Sequence, residues 1–320
     1  MPDKKQIMLR AIALAEKAIN PSPNPRVGAI VLQNGKIVGQ GFHEKTGKPH
    51  AEILALRQAG KRARGGELFV NLEPCNHFGR TPPCSQAILK AGIKKVFIGM
   101  LDTTAAGGGA KFLRANGVEI ETGIMEKECR ELNKIWLKNV EEKMPWVTLK
   151  MVLDENGSTI PQPGRKWISS KKSRLEVMKM RRQFDAIAVG VGTILADDPQ
   201  LTVRGLKIEK QPTRIIFDPD HRTPKSAKVS KNSGKTILIT KKEFPEFDLN
   251  KILQKLFQSG IDSIFLEGGL TTAQYFLKAK LVNEVFIFQK GNLTENKTWQ
   301  DLRLKKIGEF SGDGLFHQSV

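Results

Sequence analysis

Two stretches, PHAE at residues 49–52 and LEPCNHFGRTPPC at residues 72–84, decide how this chain reads. Imidazole nitrogen and thiolate sulfur are donors that zinc takes readily. A zinc centre that does chemistry keeps three protein ligands and leaves the fourth position to water. His50, Cys75 and Cys84 supply such a set. Zinc there would bring the pKa of its water toward neutrality. The attack also needs a group that carries a proton from water to the departing atom. Glu52, two residues past His50 at the start of a helical run, is the candidate catalytic residue for that task. Taken singly, a histidine or cysteine is more often a packing residue, and Cys129 inside EKECREL (126–132) is read that way. Chance rarely assembles His50-x-Glu52 with two Pro-Cys pairs downstream.

Around these stretches the first half alternates helix and strand signals. Helices are expected at 7–19, 51–60, 84–91, 110–115 and 125–139. Strands are expected at 27–32 and 36–42, around the turn Asn34-Gly35, and at 67–72, 94–99 and 117–121. Met144-Pro145 then breaks the chain. Beyond it, strands are expected at 146–153, 185–190, 214–217, 236–240, 262–266 and 283–288, with helices at 170–182, 250–259 and 271–279. The pattern is α/β in both halves, with domains at 1–144 and 145–320.

Composition narrows the classes. A length of 320 residues fits two cores. No apolar run approaches the ~20 residues a bilayer requires, so no membrane partner is expected. The N-terminal MPDKKQIMLRAIALAEKAI reads as an amphipathic helix rather than a leader, because Glu16 and Lys17 interrupt it. A cytoplasmic location is expected. Three cysteines make no disulfide framework. The net charge of +19 raises a nucleic-acid partner. The basic residues are dispersed, however, as in Lys61-Arg62-Ala63-Arg64, Lys171-Lys172 and Lys305-Lys306. The expected partner is a small phosphorylated molecule, not nucleic acid, and a homo-oligomer is expected.

His-x-Glu followed by Pro-Cys and a second Cys is the signature of zinc nucleobase deaminases, whose glutamate is not a ligand. More narrowly, the chain resembles the bifunctional riboflavin-biosynthesis deaminase/reductases. The resemblance rests on PNPRVGAIV (23–31), Gly41-Phe42-His43, GKPHAE (47–52) and LEPCNHFGRTPPC. Transfer-RNA adenosine deaminases and cytidine deaminases generally carry Cys-x-x-Cys, whereas eight residues separate Cys75 from Cys84 here. The resemblance implies a cytidine-deaminase-like three-layer N-terminal domain. It also implies that Asn24 hydrogen-bonds the pyrimidine, that His43 and His77 line the pocket, and that Arg80 lies near the substrate phosphate or ribose. Asn24 also suits a turn between prolines.

In the second half the resemblance is carried by DAIAVGVGTILADDPQLTVR (185–204) and FLEGG (265–269). It implies a dihydrofolate-reductase-like α/β domain that uses NADPH. Cofactor contacts are implied at Leu153, Trp167, Thr193, Asp197 and Gly269. Substrate contacts are implied at Arg181, Leu201, Arg204 and Glu267, with Lys150 close to the reacting ribosyl group. The glycines at 190, 192, 268 and 269 are read as letting backbone amides approach a phosphate. Three departures stand out. Asp154-Glu155-Asn156-Gly157 occupies the register where that family carries Ser-Leu-Asp-Gly, and an acid pair beside a cofactor phosphate would be unfavourable. Arg165 stands where a small polar residue is expected, and the polar stretch after Gln289 lacks a proline-containing loop.

The implied activity is zinc-dependent deamination of 2,5-diamino-6-ribosylamino-4(3H)-pyrimidinone 5′-phosphate. NADPH reduction of its ribosyl group to ribityl would follow. A deaminase with a degenerate reductase domain, or a nucleic-acid deaminase, is the alternative.

Overall fold

The structure is a computed structural model that describes residues 3–78, 82–165, 167–231, 234–290 and 302–320. The chain divides into two compact units, Met1–Glu141 and Glu142–Val320.

The first unit contains α1 (Lys4–Ala15), β1 (Gly28–Gln33), β2 (Lys36–Phe42), α2 (Ala51–Ala59), β3 (Glu67–Leu72), α3 (Cys84–Ala91), β4 (Lys95–Met100), α4 (Gly109–Ala115), β5 (Glu119–Thr122), α5 (Glu126–Leu132) and α6 (Lys134–Glu142). Its sheet runs β2-β1-β3-β4-β5, with β1 antiparallel to both neighbours and β3, β4 and β5 parallel. Strand side chains alternate between faces, and both faces are apolar. Ala29, Val31, Val96 and Ile98 pack with α2, α3 and α4. Ile30, Leu32 and Phe97 pack with α1, α5 and α6. The result is a helix–sheet–helix sandwich.

Glycine places the helix that carries the candidate site. A Cβ at Gly39 or Gly41 of β2 would collide with the backbone carbonyls of Ala55 or Ala51 in α2. Only bare backbone lets α2 lie this close to the sheet.

The helix expected over 7–19 runs instead from Lys4 to Ala15, because the Asp3 carboxylate accepts from Lys5 N and starts it early. The single helix expected over 125–139 is two. Asn133 leaves helical geometry between them, with φ −106° and ψ 17°.

The second unit contains β6 (Trp146–Leu153), α7 (Lys171–Arg181), β7 (Ala186–Gly190), α8 (Val191–Asp197), β8 (Thr213–Phe217), α9 (Lys228–Lys231), β9 (Thr236–Ile239), α10 (Leu249–Gln258), β10 (Ser263–Leu266), α11 (Leu270–Lys278), β11 (Glu284–Lys290), β12 (Lys305–Phe310) and β13 (Asp313–Ser319). The mixed sheet runs β12-β13-β11-β6-β10-β7-β8-β9. β13 pairs antiparallel with β11 and β12, and the remaining pairings are parallel. The parallel strands are buried on both faces, as helical crossovers require. Leu149, Ala188, Ile264 and Leu266 pack with Ile252 and Leu256 of α10 and Phe276 of α11. Ile187, Val189 and Ile216 pack with Ile194 of α8 and with Leu201. Among the described residues no helix is long and apolar enough to cross a membrane.

Candidate active site

In the first unit three chain segments converge. His50 is the residue before α2, Cys75 follows the end of β3, and Cys84 opens α3. His50 Nδ1 lies 3.2 Å from Cys84 Sγ and 3.6 Å from Cys75 Sγ. The three ligand atoms all lie within 4.8 Å of one another. With zinc bonds of about 2.0–2.3 Å, the edge of a tetrahedron is roughly 3.3–3.8 Å. The two nitrogen–sulfur separations match that edge, so the donor set fits zinc. Among the described residues the cluster has these three donors and no fourth, the pattern of a centre with an open position.

The hydrogen bond from Cys84 holds the Cys75 thiol well below its ordinary value, against the opposing effect of burial and with help from His50. Cys84 is pushed strongly upward by the same pairing and by burial, and so keeps its proton. The hydrogen bond to Cys75 raises His50. Zinc binds thiolate, so uptake at pH 7 must expel the Cys84 proton. Calorimetric titration in buffers of different ionisation enthalpy should therefore find about one proton or more released per zinc. Zero release would remove Cys84 from the ligand set. Cys129, by contrast, is buried, and burial pushes its thiol up to about 12. It packs against Phe97 and Leu137, as its reading from sequence expects.

Glu52 sits in the first turn of α2 and is 3% exposed. Burial first, and then the Cys75 charge, raise its carboxyl to about 7.

Glu73 was not singled out from the sequence. Its buried carboxylate accepts from the backbone N–H groups of Asp102 (3.0 Å), Gly108 (3.2 Å) and Ala110 (2.9 Å). It thereby ties the residue before Pro74-Cys75 to the loop that leads into α4. Asn76 N donates to Ala106 O, and Ser85 N donates to Cys75 O. The ligand loop is thus held from both sides. The signal was an acid at the end of an apolar strand, where a free carboxylate would be costly.

Asn24 Nδ2 lies 2.9 Å from His43 Nε2, and His43 Nδ1 lies 3.2 Å from Pro49 O. A carbonyl only accepts, so Nδ1 carries the proton and Nε2 accepts from the Asn24 amide. Burial lowers the His43 pKa, which keeps the ring in this neutral form. The His43 and His50 rings meet edge to face at 5.5 Å. His77 is exposed on the loop after Cys75. Arg80 lies outside the described residues.

In the second unit Glu267, just past β10, is buried between two cations. Lys150 Nζ lies 2.8 Å from its Oε2. Arg181 grips both carboxylate oxygens through Nε and Nη2, and its Nη1 donates to Thr202 O at 2.9 Å. Burial alone would raise Glu267, but Arg181 and Lys150 outweigh it and hold the carboxyl at about 2. Arg204 is exposed, donates to Gln200 and Thr202, and feels the charges of both Arg181 and Glu267. Lys150 and Arg181 therefore share one carboxylate with Arg204 within electrostatic range, which leaves the cluster net positive and suited to an anion.

The glycines of this unit do two jobs. A Cβ at Gly190 or Gly268 would collide with the Thr272 side chain, so these two serve close packing of α11 rather than a ligand. Gly192 faces open space. A Cβ on Gly269 would meet only Thr193 Oγ1, at 3.8 Å. The first turns of α8 and α11 thus stand side by side, with Thr193 between them and unshielded amides on offer. Asp197 is exposed at the far end of α8. Trp167 is 54% exposed, with the Arg174 guanidinium 5.0 Å from its ring centre. The side chains of Leu153 and Leu201 are core-buried, which leaves their backbones for any contact. Leu201 adopts the left-handed conformation at φ 49°.

The acid pair is held by partners of its own turn and its neighbours. Asp154 Oδ1 accepts from the N–H groups of Asn156 and Ser158 and closes its own turn. Gln289 donates to the Asp154 carbonyl. Glu155 is exposed, takes a hydrogen bond from Gln162, and lies 3.9 Å from Lys290.

Comparison with known proteins gives a consistent picture. Residues 1–100 match the family described as the cytidine and deoxycytidylate deaminase zinc-binding region, and residues 145–292 match the RibD C-terminal domain. The riboflavin biosynthesis protein RibD of Aquifex aeolicus is 42% identical over 95% of this chain and 92% of its own length. That of Escherichia coli is 35% identical, over 88% of this chain and 86% of its own. A solved diaminohydroxyphosphoribosylaminopyrimidine deaminase/5-amino-6-(5-phosphoribosylamino)uracil reductase from Thermotoga maritima superposes with a TM-score of 0.88. It is 34% identical and covers 99% of this chain and 98% of its own.

Proposed function

Because this chain belongs to the RibD family, we propose that it is a bifunctional enzyme of riboflavin biosynthesis. It deaminates the diaminopyrimidine ribosyl phosphate and then reduces the ribosyl group of the product to ribityl. The observation that carries the first half is the convergence of His50, Cys75 and Cys84 beside a buried Glu52.

When held by His50, Cys75 and Cys84, zinc supplies the Lewis acidity that activates water for attack on the amine-bearing ring carbon. Glu52 accepts the proton of that water and delivers one to the departing ammonia. Its place in the first turn of α2, buried two residues from the ligand His50, suits both transfers. Asn24 offers its carbonyl oxygen and its second N–H to the pyrimidine edge, since one N–H is already given to His43. His77, exposed after Cys75, and Arg80, which falls between the two cysteines in the sequence, are assigned to the ribosyl phosphate end.

In the second unit NADPH, when bound, supplies the hydride. The first turns of α8 and α11, with Thr193 and Gly269, are suited to its pyrophosphate. Leu153, Trp167 and Asp197 are assigned to the rest of the cofactor. Arg181, Arg204, Glu267 and the Leu201 backbone are assigned to the substrate. Lys150 is held by Glu267 close enough to this group to polarise the sugar oxygen. Asp154 and Glu155, each compensated by its own neighbours, do not oppose an anionic cofactor.

The test is a pair of incubations of the zinc-loaded chain with the diaminopyrimidine ribosyl phosphate, with and without NADPH, read by mass spectrometry. Deamination is expected in both tubes, and a further gain of two hydrogens only with NADPH. Deamination without reduction would leave a deaminase with a silent second unit. No deamination would overturn the proposal.

A further inference from the structure

The match to the deaminase zinc-binding region ends at residue 100, so α5 and α6 lie beyond it. These two helices are interrupted at Asn133, which is 2% exposed. An asparagine weakens a helix interior because its amide competes for backbone groups. Here that amide makes its two shorter bonds to a segment 107 residues away, with a longer one from Nδ2 to Cys129 O at 3.4 Å. Asn133 Oδ1 accepts from Arg26 N at 2.8 Å, and Nδ2 donates to Arg26 O at 3.1 Å.

A second buried asparagine completes the arrangement. Asn71 on β3 is fully buried; its Oδ1 accepts from Gly28 N at 2.7 Å and its Nδ2 donates to Arg26 O at 2.9 Å. The two amides do for residues 26–28 what a neighbouring strand would do. They accept from the N–H groups of Arg26 and Gly28 and give the Arg26 carbonyl two donors. The Arg26 guanidinium ties the same segment to the carbonyls of Ala18 and Ile19. Between the clamped residues, Val27 O accepts from His43 N at 2.8 Å.

This short segment therefore fixes both members of the Asn24–His43 pair. Asn24 lies two residues upstream of the clamp, and His43 hangs from its middle. Asn71 belongs to the strand that delivers Cys75. The loop that meets the pyrimidine and the strand that brings a metal ligand thus share one rigid reference. Misplacing a substrate-orienting group by about 1 Å is enough to cost a large factor in binding or rate.

We infer that Asn133, together with Asn71, is a positioning residue for substrate recognition, holding Arg26–Gly28 so that Asn24 is aimed at the pyrimidine. The inference rests on the reading of Asn24 as the group that meets the ring.

The test compares Asn133→Ala, Asn24→Ala, the double variant and Leu137→Ala in the zinc-loaded full chain. Leu137 packs in the same helix pair, and its truncation loosens that pair without touching Arg26. Asn133→Ala is expected to raise the deamination KM at least about tenfold, with kcat changed less than about threefold. Zinc content should stay the same, and calorimetric affinity for the deaminated product should fall by a similar factor. The double variant should be no worse than Asn24→Ala, since both act on one contact. Leu137→Ala should keep KM within about twofold.

Equal shifts in Asn133→Ala and Leu137→Ala would overturn the inference and leave Asn133 a packing residue. So would effects of Asn133→Ala and Asn24→Ala that multiply. A parental KM in Asn24→Ala would overturn the reading of Asn24, and this inference with it. Absence of deamination in the parent chain would instead remove the proposed function itself.

Discussion

Replacing Glu52 with glutamine is expected to lower the deamination rate by about 10²–10⁴-fold, the range that a positioned acid–base group contributes. The substitution keeps the side chain's volume, and three features make it specific. Glu52 is not among the three donors that converge on the metal position, so zinc content should remain one per chain. It lies in the first unit, so NADPH-dependent reduction of deaminated substrate should be unchanged. The fold should not suffer either. Burial raises the Glu52 carboxyl from its ordinary 4.5 to about 7. Above pH 7 the metal-free parent must therefore carry a buried carboxylate that its unfolded state carries in water. That is a destabilising term, and glutamine removes it. Metal-free Glu52→Gln should therefore melt no lower than the parent at pH 8. Product analysis, metal content and melting together check the claim. A rate loss under about tenfold, with zinc retained, would take Glu52 out of the proton path.

The first unit was legible in the sequence because its elements are short, strongly apolar and sharply punctuated. β2 at 36–42 follows an Asn-Gly turn, β3 at 67–72 is the largely apolar run ELFVNL after Gly65-Gly66, and α3 at 84–91 is closed by Gly92; each has the bounds its pattern implies. The metal set was legible because His, Glu and Cys occur at spacings with few other uses. What escaped was set by tertiary contact. Nothing local in EKECRELNKIWLKNVEE shows that Asn133 will spend its amide on Arg26 and split the helix. Glu73 reads as the end of a strand, and its three N–H donors come from about thirty residues downstream. In the second unit, β12 is an exposed edge strand, KKIGEF, with lysines outward. Edge strands carry such charges to discourage further pairing, and the same charges erase the alternation by which strands are recognised. The Gly190–Thr193 turn looked like a phosphate loop. The first of its glycines instead makes room for Thr272, a partner the local sequence does not reveal.

Glu267→Gln is expected to abolish reduction while sparing deamination, and to destabilise the second unit by about 3–5 kcal/mol at pH 7. That is the usual cost of leaving buried charge without its partner. The geometry explains the size. Lys150 and Arg181 are 11% and 10% exposed at the side chain and share one carboxylate, with Arg204 close enough to feel it. Glutamine offers one carbonyl and a donor face where both cations need acceptors. Lys150 then loses its carboxylate partner, and Arg181 loses its two-point grip. The pH dependence separates this from simple repacking. The folded carboxyl lies at about 2, below its ordinary 4.5. Its stabilisation, about 3 kcal/mol, is fully present above pH 4.5 and is lost as pH falls through about 2. Denaturant unfolding should therefore show the full deficit of Glu267→Gln at pH 7 and less than half of it at pH 3. A deficit of equal size at both pH values would mean that Glu267 fills space rather than pairing charge. Normal reduction by the variant would take the Lys150–Glu267–Arg181 cluster out of the reductase site altogether.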